Sequence, residues 1–260
     1  MTYLELVNGV LTRLREESIS AGQLELDTNP YWAFIGTAVN DAKTRVEDAW
    51  EWGALRGTDT FQLSQDNAQV SGPTIALPDS EEGKYLIKRV ASYPNTTNSP
   101  AFSGIRTYMR WVDANRMHLT NYSNPDSASE GQPMEFAVTG VASTTGLHSF
   151  GPLQQGQTKL TLWPTPPDDK FWVEIDRVRN QGKLVSASTR LQVPPLPVLT
   201  LATALASRER GEVGGTPTSE LFAMADNYLS DAIAHDASLY SNELDWWANT
   251  DETQTNVRFA

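Results

Sequence analysis

Asn29-Pro30-Tyr31-Trp32 opens, and Ala49-Trp50-Glu51-Trp52-Gly53 closes, the stretch on which the reading of the whole chain turns. Thr28 or Asn29 can cap a helix. Pro30 suits the first helical position, because a backbone N–H there has no intrahelical partner to lose. Ile35, Val39, Ala42, Val46 and Ala49 then recur as one apolar stripe, with Asp41, Lys43, Arg45, Glu47 and Asp48 mostly off it. Gly53 stops the helix, and Trp50 and Trp52 lie where the chain turns into a region of different period.

Upstream, Leu4, Val7, Leu11 and Leu14 recur at helical spacing over Thr2 to Glu17, with Thr2 and Glu5 placed for a capping box and Ser18 to Gly22 ending the helix. Downstream of Arg56 come short runs rich in aromatic and β-branched residues, bounded by turn residues: Phe61–Leu63, Thr74–Leu77, Lys84–Ser92, Gly104–Val112, Arg116–Thr120, Pro133–Val141, Thr158–Trp163 and Phe171–Val178. Phe171, Val173 and Ile175 alternate with Trp172, Glu174 and Asp176, as in a half-buried strand. Helical character returns at Pro195, with Leu199, Ala202 and Leu205 as its buried face. Gly211 to Pro217 breaks it, and a last helix follows with Phe222, Ala225, Leu229, Ala232 and Ile233 inward. Asn249 to Ala260 is polar and aperiodic. The expectation is therefore an α+β protein in which residues 1–54 and 194–247 close into one discontinuous helical bundle. Residues 55–193 form an inserted antiparallel β-sandwich or barrel-like domain, and 248–260 an extended C-terminal tail.

The 260 residues carry a formal net charge of −12 and no cysteine. Disulfides and thiolate metal sites are excluded, and the electrostatic footprint of a nucleic-acid binder is missing. The run from Val213 to Val257 has no Lys or Arg but includes Glu220, Asp226, Asp231 and Asp236, a candidate acidic surface that repels DNA or meets a basic partner. The longest apolar-leaning run, Pro194 to Ala206, is too short and Thr-broken to span a bilayer, so no membrane is expected as a partner. Met1-Thr2-Tyr3-Leu4-Glu5 has neither a basic n-region nor an apolar core, and no targeting segment is expected.

No constellation for catalysis stands out. His118, His148 and His235 have no second His at metal-ligand spacing. Glu81-Glu82 and Asp168-Asp169 are adjacent residues in turns, which do not hold two carboxyls at a fixed distance across a substrate. No phosphate loop or nucleophile elbow occurs, so no catalytic residue, metal or cofactor is expected. Tyr108, Trp111, Trp163, Phe171 and Trp172 could form an aromatic ligand platform, the basis of an alternative reading as a carbohydrate-binding or host-recognition module. Their half-buried strand spacing favours core or interface. Trp246 and Trp247, beside Asp245 at the edge of the last helix, are costly to expose unless a partner covers them.

Several stretches carry a resemblance. They are the helix pair, Leu77-Pro78-Asp79 after a short strand, Leu160-Thr161-Leu162-Trp163-Pro164-Thr165-Pro166, Pro194-Pro195-Leu196-Pro197-Val198, Arg208-Glu209-Arg210-Gly211-Glu212, and the helix from Glu220-Leu221-Phe222 to Ala232-Ile233. In this order, over most of the chain, they resemble the head-to-tail adaptors of podovirus-type phages, the tail-tubular-A-like family. The resemblance implies a non-enzymatic virion protein at the head-tail junction, made in the bacterial host cytoplasm. It also implies a twelve-fold homo-oligomeric ring beneath the portal protein, with the tail nozzle protein below, tail fibres in some members, and DNA passing without sequence-specific binding. The C-terminal segment, here Asp245, Trp246, Trp247, Asn256, Val257, Arg258 and Phe259, would reach the portal or a neighbouring subunit.

Overall fold

The computed structural model describes residues 1–25, 29–62, 74–76, 85–94, 106–117, 131–140, 158–164, 170–211 and 218–239. The protein is α+β. It divides into two compact units, Met1–Leu55 joined by the chain from Asn180 onward, and Arg56–Arg179.

The first unit contains five described helices: α1 (Tyr3–Arg13), α2 (Ala21–Glu25), α3 (Pro30–Ala49), α4 (Pro195–Arg210) and α5 (Thr218–Leu239). The Thr2–Glu5 capping box forms as the spacing predicts: Glu5 N–H donates to Thr2 Oγ1 at 3.3 Å and Thr2 N–H to Glu5 Oε2 at 2.9 Å. The helix stops four residues earlier than Glu17 because Arg15 takes a left-handed conformation (φ 60°) and Glu16 N–H turns back to Leu11 O. Ser18 to Gly22 is not simply a stop: Ser20 N–H and Oγ both bond Gln23 Oε1, which nucleates α2. Asn29 caps α3 by accepting from Tyr31 N–H at 2.9 Å, with Pro30 in the first turn.

Helix α4 is the centre of this unit. It packs against α1, α3 and α5. Its Ala202, Ala204 and Ala206 are fully buried, and small side chains let three neighbours approach one helix. The fit extends to two glycines. A Cβ on Gly9 would meet Leu199 Cδ1 at 2.9 Å, and one on Gly36 would meet the Tyr3 hydroxyl. Tyr3 is buried, whereas Leu199 is half-buried and can swing aside. Gly36→Ala is therefore expected to destabilise by about 1–3 kcal/mol despite the better helix propensity of alanine. Gly9→Ala should cost clearly less. Denaturant midpoints of the two variants check this, and equal midpoints would contradict the packing argument.

The sequence-based boundary at Pro194 moves to Asn180. Residues 180–193 carry no regular period, yet their backbone groups are answered by the helical unit. Tyr3 N–H donates to Thr189 O, Leu4 N–H to Ala187 O and Leu191 N–H to Met1 O. Leu184 N–H donates to Asn40 Oδ1 at 2.8 Å while Asn40 Nδ2 returns a bond to Leu184 O. Leu184, Ala187 and Val193 are buried. The same strap explains a second departure. Lys43 and Glu47, placed mostly off the apolar stripe of α3, are 2% and 1% exposed, and Lys43 Nζ donates to both Glu47 oxygens and to Gln181 O. Ala49, read as part of the stripe, is exposed.

Among its described residues the second unit holds eight strands, β1 (Arg56–Gln62), β2 (Thr74–Ala76), β3 (Tyr85–Pro94), β4 (Thr107–Tyr108), β5 (Arg110–Trp111), β6 (Glu135–Gly140), β7 (Thr158–Trp163) and β8 (Phe171–Arg179). They form two four-stranded sheets, ordered β1-β8-β3-β4 and β2-β7-β6-β5. Val90, Val173 and Ile175 of the first sheet, Phe136, Leu160 and Leu162 of the second, and Met109 of the connecting stretch share one core. The strand expected over Gly104–Val112 is split by Met109 into β4 and β5, which belong to different sheets. The second sheet is mixed, not antiparallel throughout, since β5 runs parallel to β6. The strand expected over Arg116–Thr120 is replaced, in its described part, by a helical turn at 114–117. There Asp113 Oδ1 accepts from Asn115 N–H and Asp113 O from Met117 N–H. A local carboxylate cap overrides β propensity there.

Candidate functional site

Helix α5 carries the candidate acidic surface. It has no Lys or Arg, and among its 22 residues only Ala225 is fully buried. Leu221, Phe222, Leu229, Ala232 and Ile233 are half-buried on the same side, and the Arg208 guanidinium of α4 lies 5.8 Å from the Phe222 ring centroid. Glu220, Asp226 and Asp231 are exposed. At about 100° per residue, Glu220 and Asp231 fall on nearly one line, with Asp226 roughly 120° away, so the acids spread round the open side of the helix. The helix itself carries no cation to neutralise them.

Asp236 does not belong with them. It follows Ala225 by about three turns and lies on the packed side. There it accepts from Trp50 Nε1 at 3.0 Å and from Gly53 N–H at 3.2 Å. It joins the end of α3 to α5 and is a structural acceptor. His235 is exposed. Asp245, Trp246, Trp247, Asn256, Val257, Arg258 and Phe259 lie outside the described residues, as do His118, His148, Glu81, Glu82, Asp168 and Asp169.

The five aromatics do not form one platform. Phe171 packs against the core shared by the sheets, and Trp163 against a smaller cluster of Val112, Met117 and Ala137. Exposed Tyr108 and half-buried Trp172 belong to the first sheet and exposed Trp111 to the second.

A polar network on the outer face of the first sheet escaped the sequence reading. Asp176 of β8 accepts from Thr58 Oγ1 of β1 at 2.8 Å and from Arg89 Nε of β3 at 2.6 Å. The Arg89 guanidinium lies 4.9 Å from the Tyr108 ring centroid. Glu174, 7% exposed, accepts from Arg106 at 2.8 Å. On the other side of the sheet, the side Ile175 faces, Arg177 of β8 forks onto Asp59 of β1. Strand β8 is flanked on both sides, so these residues meet across three strands. The signal lay in cross-strand register, which a single sequence does not display. Each of these carboxylates has a guanidinium, an arrangement suited to holding strands together.

Tyr93 sits on the outer face, 2% exposed. Burial raises its hydroxyl pKa above the ordinary 10.0, helped by the Glu174 charge and opposed by Arg106 and a hydrogen bond with Thr60. A raised folded-state pKa means stability present below the ordinary value and lost as pH climbs through the folded value. The second unit is therefore expected to weaken in alkali, above about pH 10, and Tyr93→Phe to blunt that loss. Thermal melts across that range check it, and a variant with an unaltered alkaline slope would contradict it.

Among the described residues no three or more His, Asp or Glu side chains gather where a metal could sit. In the helical unit a cleft of about 300 Å³ is walled by Leu11, Ile19, Tyr31 and Trp32 and rimmed by Glu16 and Glu17. Arg210 already bonds Glu16 at 3.0 Å and the Tyr31 hydroxyl at 2.7 Å. Among the described residues no helix is long and apolar enough to cross a membrane. No protein-family model matches the chain, and no curated protein sequence matches it either.

Proposed function

We propose that this chain is a non-enzymatic structural subunit of a phage particle, an adaptor that forms a ring under the portal protein and joins the head to the tail nozzle. In this reading the helical unit is the bundle that meets the portal and neighbouring copies. The two-sheet unit is a β-sandwich facing the nozzle or fibres, and the C-terminal segment with Trp246 and Trp247 anchors on the portal. The observation that carries the reading is α5, a long helix whose open side bears Glu220, Asp226 and Asp231 and no cation. Such a surface along a channel keeps DNA sliding, because phosphate contacts need Lys or Arg. The inserted arrangement supports it too, since a helical unit built from both ends of the chain leaves the β unit free to vary with its partner.

The test is a mass measurement of the purified protein alone and mixed with portal, repeated for the Trp246→Ala/Trp247→Ala double variant. The wild type is expected to join the portal ring. The double variant should fold with an unchanged melting temperature and lose at least tenfold in portal affinity, in keeping with aromatic anchors of more than about 1.4 kcal/mol. Undiminished joining by the double variant would remove the anchor. A wild type that stays monomeric with portal present would remove the adaptor reading.

A further inference from the structure

We draw no further inference here: the strongest candidate, the cleft in the helical unit between the end of α1, α2 and the start of α3, has an acidic rim of Glu16 and Glu17 that already engages the chain's own Arg210, and nothing in the structure shows what else would fill it.

Discussion

Lys43→Met is expected to lower the unfolding free energy by about 3–5 kcal/mol at neutral pH, because it strands a charged carboxylate in a dry site. Lys43 Nζ stands 2.9 and 3.0 Å from the two oxygens of Glu47 and 2.5 Å from Gln181 O. Burial pushes the Glu47 carboxyl above its ordinary 4.5, and the bond and charge of Lys43, with the Gln181 backbone, pull it back. Removing the ammonium removes the larger opposing influences. A carboxyl with a raised folded-state pKa is bound to its proton more tightly in the folded chain, so its stability is present below the ordinary value and lost as pH rises through the folded one. The Lys43→Met defect should therefore be small near about pH 4 and grow toward about pH 8. Urea unfolding at both ends of that range checks the sign. The Lys43→Met/Glu47→Leu double variant removes both charges and should recover most of the loss. A double variant as weak as the single one would show that the packing of the lysine stem, not the stranded charge, carries the effect.

That pair also marks where sequence reading runs out. The capping box at Thr2, the Asn29-Pro30 start of α3, the Pro195 start of α4 and strand β7 were all legible, because each depends on residues within a turn or a short run of one another. Lys43 and Glu47 defeat hydrophobic periodicity. Two charged residues on the buried face look like a solvated edge until Gln181, 138 residues from Lys43, is brought beside them. The strap 180–193 fails to register for the same reason, since some of its partners are main-chain groups, which carry no residue code, and its side-chain partners Asn40 and Lys43 lie far off in sequence. Asp236 shows the converse error. In a cation-free acidic run every carboxylate looks alike, and only the position of Trp50 and Gly53 separates the structural acceptor from the exposed Glu220, Asp226 and Asp231. On the first sheet, the pairing of Glu174 with Arg106 and of Asp176 with Arg89 waits on register. Trp163, Phe171 and Trp172 are half-buried as their strand spacing predicts, but Tyr108 and Trp111 are exposed, and the division of the five between two sheets follows from the break at Met109.

Trp52→Ala is expected to cost about 3–5 kcal/mol, the range for truncating a large buried aromatic to alanine. Trp52 is 1% exposed, and its Nε1 donates to Val46 O at 2.7 Å. Its own carbonyl accepts from Leu55 N–H at 3.0 Å, which sets the 3-10 turn Gly53–Leu55 just before β1. The alanine variant loses the buried ring, leaves a cavity at the end of α3 and removes the donor from Val46. Trp52→Phe keeps most of the volume and should recover much of the loss, leaving a deficit that includes about 1 kcal/mol for the hydrogen bond. Trp50 is the comparison. It is only half-buried and holds Asp236 through one bond, so Trp50→Phe is expected to cost about 1 kcal/mol. Denaturant midpoints of the three variants check the order Trp52→Ala, then Trp52→Phe, then Trp50→Phe. A Trp52→Ala protein no weaker than Trp50→Phe would mean that the end of α3 is not part of the core. The comparison also separates two ways of losing the proposed joining activity. Trp52→Ala should abolish it by unfolding the helical unit, with a matching fall in melting temperature. The Trp246→Ala/Trp247→Ala variant should abolish it in a subunit that melts like the wild type, because tryptophans that act as anchors contribute to the complex and not to the free fold.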